Sequence, residues 1–394
     1  MPSKLPRSSR QTRSKVHVLV AFGTRPEILK LHPVISELRR SSHEFKVTAL
    51  ATAQHREMLD QVLNVFRIRV NHDLNVMTAG QSLAQITTRI ITRIDPILAR
   101  SRPDMVLVQG DTTTTLSVAL AAFYRGIPIG HIEAGLRTRN RLDPFPEEIN
   151  RQVTSVLGTL HFAPTDQARR NLLSESIPPT QIFVTGNTIV DAMHAIASSK
   201  QGRTASRSAK QHVGRPSVLV TAHRRESLGE PMRKICLAVA RLARESDCDI
   251  VFPVHPNPKV RRIVNVTLAG VPNVQLCEPM EYRAFIHAML GASLIITDSG
   301  GIQEEATSLG IPTLVTRATT ERPEAIASGI ARLVGTDTDL IFSAANTILR
   351  NRGSRGRLLK GTRAFGDGHA SQRIVQAMRY YAGLRKTRPG DYKP

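Results

Sequence analysis

Three carboxylates within residues 104–151 could move protons. Asp111 follows the apolar run Met105–Val108, and Glu133 follows a second run, Ile127–Ile132. A buried parallel strand carries its next residues to the carboxyl edge of the sheet, so both acids are expected at strand ends, where open α/β sheets bind ligands. Glu147 begins a predicted helix behind Pro144 and Pro146. Each acid alone has an ordinary structural alternative: Asp111 as a helix cap, Glu133 as a partner of Arg137, Glu147 as a complement to a helix N-terminus. The shared edge favours chemistry, because clustered acids raise one another's pKa and let one stay protonated while another is ionised.

The second half places other groups after apolar runs. His223, Arg224 and Arg225 follow Ser217–Thr221, His255 follows Ile250–Val254, and Asp298-Ser299-Gly300-Gly301 follows Leu294–Thr297 before a helix containing Glu304 and Glu305. Glycines at a helix start let backbone N–H groups approach an anion, although a tight turn explains the same residues. Arg322, just ahead of Pro323, and Arg25, in the first loop, could bond a diphosphate; a surface ion pair is the commoner fate of an arginine. The chain has neither G-x-G-x-x-G nor a Walker lysine loop, so no motif indicates a nicotinamide cofactor or ATP.

Strands and helices alternate through both halves, which predicts parallel, doubly wound sheets. The first half offers strands at Val16–Phe22, Phe45–Ala51, Leu160–Ala163 and Ile182–Val184 besides those that precede Asp111 and Glu133, with helices after Gly23-Thr24-Arg25-Pro26-Glu27 and after Ala53-Gln54-His55-Arg56. The second begins at Ser217 and adds strands near Ile250–Val254, Val274–Leu276, Leu294–Thr297 and Thr313–Val315. The expected domains are 16–195 and 217–369, with a basic linker or exposed loop at 196–216, a C-terminal helix at 370–384 crossing back to the first domain, and basic tails at 1–15, expected to be disordered, and 385–394. A chain of 394 residues, 41% hydrophobic, is too long for one core. Its three cysteines form no CxxC pair, which fits a reducing cytoplasm and no structural zinc. No apolar run approaches the roughly 18 residues of a membrane helix. The net charge of +22 gathers in residues 1–17, 196–216, 350–363 and 385–394. With 4% aromatic residues and no Trp, that distribution argues against a specific nucleic-acid groove.

Nine blocks in order, FGTRPE (22–27), TAQHREMLDQVL (52–63), GDTTTTL (110–116), HIEAGLRT (131–138), PFPEEINR (144–151), GNTIVDA (186–192), TAHRRES (221–227), TDSGGIQEEA (297–306) and TTERPEA (319–325), resemble the non-hydrolysing UDP-N-acetylglucosamine 2-epimerases. The resemblance runs from about Val16 to Ala370. It implies a cytoplasmic homodimer of two Rossmann-like domains facing across a cleft, the glycosyltransferase-B architecture. The enzyme would interconvert UDP-N-acetylglucosamine and UDP-N-acetylmannosamine for surface polysaccharide synthesis, with no cofactor and no required metal. It assigns Asp111, Glu133 and Glu147 to acid/base chemistry and His223 to the neighbourhood of the leaving diphosphate. Arg25 and Lys30 become first-loop basic groups, Ser299, Gly300 and Gly301 the phosphate loop, Glu305 the ribose acid, Arg322 a nucleotide contact and Phe285 a uracil neighbour. Gln54, Arg224 and His255 match a regulatory pocket that some bacterial members use.

The hydrogen on sugar carbon 2 has no flanking carbonyl, so its removal gives no stabilised enolate. The resemblance implies loss of UDP from carbon 1 with proton removal at carbon 2, then readdition of UDP to 2-acetamidoglucal after protonation on the other face. Two departures qualify that expectation. Arg139-Asn140-Arg141-Leu142-Asp143 replaces the usual segment beside Glu147, which keeps a modified UDP-amino sugar open as substrate, and Met280 replaces a polar residue near the base pocket. A hydrolysing epimerase releasing free N-acetylmannosamine, a glycosyltransferase and a nucleotide-sugar sensor are the rival readings. Retention of all three acids counts against the sensor.

Overall fold

The computed structural model describes residues 15–52, 62–63, 66, 68–78, 80–197, 215–350 and 362–394. The tail at 1–14, most of the basic linker and the helix expected after Ala53 lie outside them. The chain divides into two compact units, one taking residues up to Ala192 and again Gly366–Lys393, the other Met193–Phe365.

Val16–Phe22 (β1) is apolar and buried along almost its whole length, as a parallel strand covered on both faces must be. Phe45–Ala51 (β2), His72–Asp73 (β3), Met105–Gln109 (β4), Ile129–Ile132 (β5), Leu160–Ala163 (β6) and Ile182–Val184 (β7) complete the first unit's seven-stranded sheet. Its order is β3-β2-β1-β4-β5-β6-β7 and every pairing is parallel. The chain winds outward from β1 and then resumes on its other side at β4, so the loops after these strands flank the switch point. Helix Leu83–Ser101 shows how the sheet is covered. Ser82 accepts the Gln85 N–H at 3.2 Å to start it. Ile86, Ile90 and Ile94, spaced four apart on one helical face, then pack with Leu19, Val106 and Val108.

The second unit repeats the plan with Ser217–Thr221 (β8), Asp249–Pro253 (β9), Val274–Cys277 (β10), Leu294–Thr297 (β11), Thr313–Val315 (β12) and Ala331–Leu333 (β13). The order is β10-β9-β8-β11-β12-β13, again all parallel, with the switch between β8 and β11. Val218, Val220, Ile250 and Phe252 share a core with Met232, Ile235 and Val239 from helix Glu230–Glu245. The doubly wound parallel class expected from sequence is therefore present twice. Among the described residues, no helix is long and apolar enough to cross a membrane.

Helix Ala370–Tyr381 belongs to the first unit, where buried Asp191 caps it. The carboxylate accepts the N–H groups of Ala370 at 3.1 Å and Ser371 at 2.8 Å, and the Ser371 hydroxyl at 2.6 Å. Residues 385–394, the expected basic tail, lie along β7. That strand is at the sheet edge and has backbone groups to satisfy. Tyr392 N donates to the Val184 carbonyl at 2.7 Å, and Asp391 accepts the Val184 N–H at 2.9 Å. The Arg388 guanidinium sits 4.2 Å from the Phe183 ring centroid. Removing the Asp191 carboxylate leaves three donors buried without it. Asp191→Ala is expected to cost about 2 to 3 kcal/mol of unfolding free energy. A denaturation series placing the variant within about 0.5 kcal/mol of the parent would show that the cap is dispensable.

Candidate active site

The loop after β1 closes tightly on the loop after β4. A side chain at Gly23 would fall 2.2 Å from the Thr114 hydroxyl and 2.3 Å from that of Thr52, so only glycine lets these loops meet. Glu27, in the first turn of helix Arg25–Arg40, holds them together. Its carboxylate accepts the N–H groups of Gly23 at 3.0 Å and Thr24 at 2.8 Å, and the hydroxyls of Thr24 and Thr112, each at 2.8 Å. Burial raises the Glu27 pKa above the usual carboxylate value, while these hydrogen bonds oppose the rise. The Thr24-x-x-Glu27 spacing is a capping-box signature legible in the sequence, but its reach to Thr112 is not.

Asp111 and Glu133 follow β4 and β5, whose register pairs Gln109 with Ile132. Gly110 and Glu133 both have positive φ, at 74° and 65°, turning the chain sharply at the sheet edge. For a residue with a side chain this backbone is costly. Gly135 completes the Glu133 turn with φ of 90°, and a Cβ there would lie 2.2 Å from the Ala168 carbonyl oxygen. Thr112, not Asp111, caps helix Thr113–Tyr124, accepting the Thr115 N–H at 3.1 Å. Arg137 pairs with Glu175 at 2.6 Å rather than with Glu133. Two of the structural alternatives for these acids are thereby excluded.

Glu133 is 8% exposed, and among the described residues three donors converge on its Oε2. They are the Lys30 ammonium in a short contact, the Gln109 amide at 2.9 Å and the Asn187 amide at 3.2 Å. Lys30 comes from helix Arg25–Arg40 and is itself buried. Asp111 accepts a short hydrogen bond from Arg151, and its backbone carbonyl accepts the Asn150 amide at 2.9 Å. Both partners lie on helix Glu147–Leu157, which Glu147 begins from a half-buried position. Its neighbour Glu148 is fully buried and accepts the N–H groups of Thr138 and Arg139 at 3.0 Å, fixing the divergent segment before Pro144. The three predicted acids thus arise from elements that touch at one edge, with Arg25 at the start of the adjoining helix.

Behind this edge His131 bonds the Gly110 carbonyl through Nε2 at 2.7 Å. A carbonyl accepts only, so Nε2 carries the proton in the neutral ring. Burial pushes the His131 pKa down to about 4, and that of His161, its register partner on β6, to about 3.

In the second unit Ser299 precedes helix Gly300–Leu309. A Cβ at Gly300 would lie 2.4 Å from Nη1 of Arg322, so the loop packs directly on that guanidinium. Arg322 donates to Glu304 at 2.7 Å and makes a short bond to Glu321, which also accepts Arg317 at 2.8 Å. All four side chains are buried. Glu305 accepts the Tyr282 hydroxyl at 2.8 Å, and Phe285, on the same helix as Tyr282, is half-buried. The fully buried Asp298 accepts the N–H groups of His223 and Arg224, each at 2.9 Å, and its Oδ1 lies 3.6 Å from the His223 ring nitrogen. The His223 ring stacks on His255 at 5.3 Å. Arg224 approaches Glu321 at 3.6 Å, whereas Gln54 lies outside the described residues. Sequence reasoning overlooked Glu27, Gln109, Glu148, Asn187, Asp298 and Glu321, each of which is buried and hydrogen-bonded to a residue distant from it or to a predicted site residue. Among the described residues, no group of three or more His, Cys, Asp or Glu side chains could hold a metal ion.

Residues 36–379 match the family described as UDP-N-acetylglucosamine 2-epimerase. The UDP-N-acetylglucosamine 2-epimerase of Salmonella typhimurium is 48% identical over 371 residues, 92% of this chain and 98% of the relative. The crystal structure of UDP-GlcNAc 2-epimerase from Neisseria meningitidis bound to UDP-GlcNAc superposes with a TM-score of 0.87 at 46% identity, covering 92% of this chain and 99% of that one. The Methanocaldococcus jannaschii UDP-GlcNAc 2-epimerase, in complex with UDP-GlcNAc and UDP, gives 0.81 at 32% identity, covering 92% and 99%.

The buried histidines make acid stability testable. An unfolded imidazole takes its proton near 6.5, whereas folded His161 resists until about 3. Between those values the unfolded chain binds more protons, so the contribution of His161 is complete above 6.5 and drains as pH falls. Glu27 and Asp191, with raised values, act in the opposite sense. His161→Phe is therefore expected to lose less denaturant resistance than the parent on moving from neutral pH to about 5. Equal losses in the two proteins would contradict this.

Proposed function

The chain belongs to the UDP-N-acetylglucosamine 2-epimerase family, and on that premise we propose that it inverts carbon 2 of the UDP-linked sugar without releasing free sugar. UDP departs from carbon 1 as the carbon 2 proton is taken, 2-acetamidoglucal and UDP remain bound, and readdition after protonation on the opposite face gives UDP-N-acetylmannosamine. The observation that carries this reading is the placing of Asp111 and Glu133 at one sheet edge, where Arg151 holds the first carboxylate and Lys30, Gln109 and Asn187 hold the second. Carbon 2 lacks carbonyl activation, so proton carriers must serve two faces of the ring, which one acid does poorly.

In this reading Asp111 and Glu133 carry the proton and Glu147 assists. Lys30 pairs with Glu133, and Arg151 is shared between Asp111 and the buried Glu148. The second unit supplies the nucleotide groups. Backbone N–H groups at Ser299, Gly300 and Gly301 and the positive end of their helix stabilise diphosphate charge as the glycosidic bond breaks. Buried Arg322 sits directly behind them, packed against Gly300. His223, whose loop Asp298 fixes, donates to the leaving diphosphate. Glu305 accepts from the ribose and Phe285 packs near the base.

The amide variants test the assignment. Asp111→Asn and Glu133→Gln preserve shape and remove proton-carrying capacity, so each is expected to lower kcat by at least about a thousandfold. UDP affinity, measured calorimetrically, should stay within about threefold of the parent. Loss of UDP binding in step with kcat would make these residues scaffold instead.

A further inference from the structure

Glu133 is served by two amides to which the elimination and readdition of UDP assign no role, and one of them sits at an unusual place in the chain. Asn187 follows β7 in the turn Thr185-Gly186-Asn187, five residues before the chain leaves the first unit. It is 2% exposed. Its Oδ1 accepts the Ile189 N–H at 3.1 Å, starting helix Thr188–Ala197, so its Nδ2 is the atom that reaches Glu133 Oε2. The amide is thereby oriented from both sides. It can point its donor only where the turn points it.

The turn is itself laced to the segment where the chain comes back. Gly366, the first residue to rejoin the unit, has φ of 141°, and a Cβ there would lie 3.4 Å from the backbone N of Asn187. Arg373 donates to the Thr185 carbonyl at 3.1 Å and pairs with Asp367 at 2.6 Å. Asp191 caps the helix that begins at Ala370. Departing and returning segments therefore form one knot, and Asn187 is its contact with the carboxylate.

We infer that Asn187 is a positioning residue for proton transfer at carbon 2: its amide aims the Glu133 carboxylate and makes that aim depend on the knot where the chain leaves and rejoins the first unit. This rests on Glu133 being a proton carrier. Glu133 sits on a turn with positive φ, and a carboxylate rotated away from the ring carbon loses transition-state contact without losing nucleotide contact. Asn187 thus acts on kcat and not on UDP affinity.

Two variants separate aim from scaffold. Asn187→Asp keeps an oxygen for the Ile189 N–H, removes the donor and sets a second negative charge beside Oε2, which disfavours ionised Glu133. Asn187→Ser keeps a hydroxyl acceptor for the same N–H and is too short to reach Glu133. Steady-state epimerisation of UDP-GlcNAc should show kcat reduced at least about tenfold in both, with KM within about threefold. In Asn187→Asp the acid limb of the kcat profile should also move up by about one pH unit. Wild-type kcat and profile in either variant would overturn the role, and so would melting temperature and UDP affinity falling together with kcat. Glu133→Gln run alongside separates the two levels. If it turns over normally, the reading of Glu133 fails; if it is inactive while both Asn187 variants are normal, only Asn187 is misassigned.

Discussion

A carboxylate almost out of contact with solvent at the end of a strand is the constraint from which the first unit is built. Removing an ionised carboxyl from water costs several kcal/mol unless partners compensate it. Glu133 finds that compensation in Lys30, Gln109 and Asn187, which lie on a helix, a strand and a turn from three separate parts of the chain. Each of those elements is fixed by its own local rule. Helix Arg25–Arg40 buries Lys30 because its apolar face covers the sheet, β4 presents Gln109 at its last position, and the turn before helix Thr188–Ala197 orients Asn187. A substitution in any of them reaches the same oxygen.

The acids of this chain differ in how far they are committed to backbone donors. Glu27, Glu148, Asp191 and Asp298 are buried and accept backbone N–H groups, tying one loop to the next. Asp111 and Glu133 instead accept side-chain cations and amides at a sheet edge, and the Asp111 side chain is 27% exposed. Glu148 adds side-chain partners of its own, Arg151 at 3.4 Å and the Gln152 amide at 3.1 Å, so Arg151 links it to Asp111. The second unit applies the same economy to cations, with Glu304 and Glu321 fixing Arg322 under Gly300.

Much of the fold was legible because apolar runs of strand length end at polar loops. The strands at Val16–Phe22, Phe45–Ala51, Leu160–Ala163, Ile182–Val184, Ser217–Thr221, Leu294–Thr297 and Thr313–Val315 fall at the expected positions. His72–Asp73 and Ala331–Leu333 escaped notice because they are two and three residues long and carry no apolar run of their own. The candidate acids were legible from strand ends and motif blocks. Their partners were not, since Lys30 and Glu133 stand 103 residues apart and Asn187 and Glu133 stand 54 apart. Nothing in local pattern announces such a pairing. The docking of residues 385–394 was hidden for a related reason: a basic composition describes solubility, while the open edge of β7 that receives the segment is a property of the folded sheet.

If these acids move the carbon 2 hydrogen of a sugar that stays linked to UDP, the exchange with solvent has to be visible in the product. Incubating the protein with UDP-GlcNAc in heavy water and recording the proton spectrum of the UDP-linked sugars tracks that exchange directly. Deuterium accumulating at carbon 2 of both UDP-linked epimers is the predicted result. Epimerised product that retains its original hydrogen, or free sugar in place of the UDP-linked epimer, would contradict it.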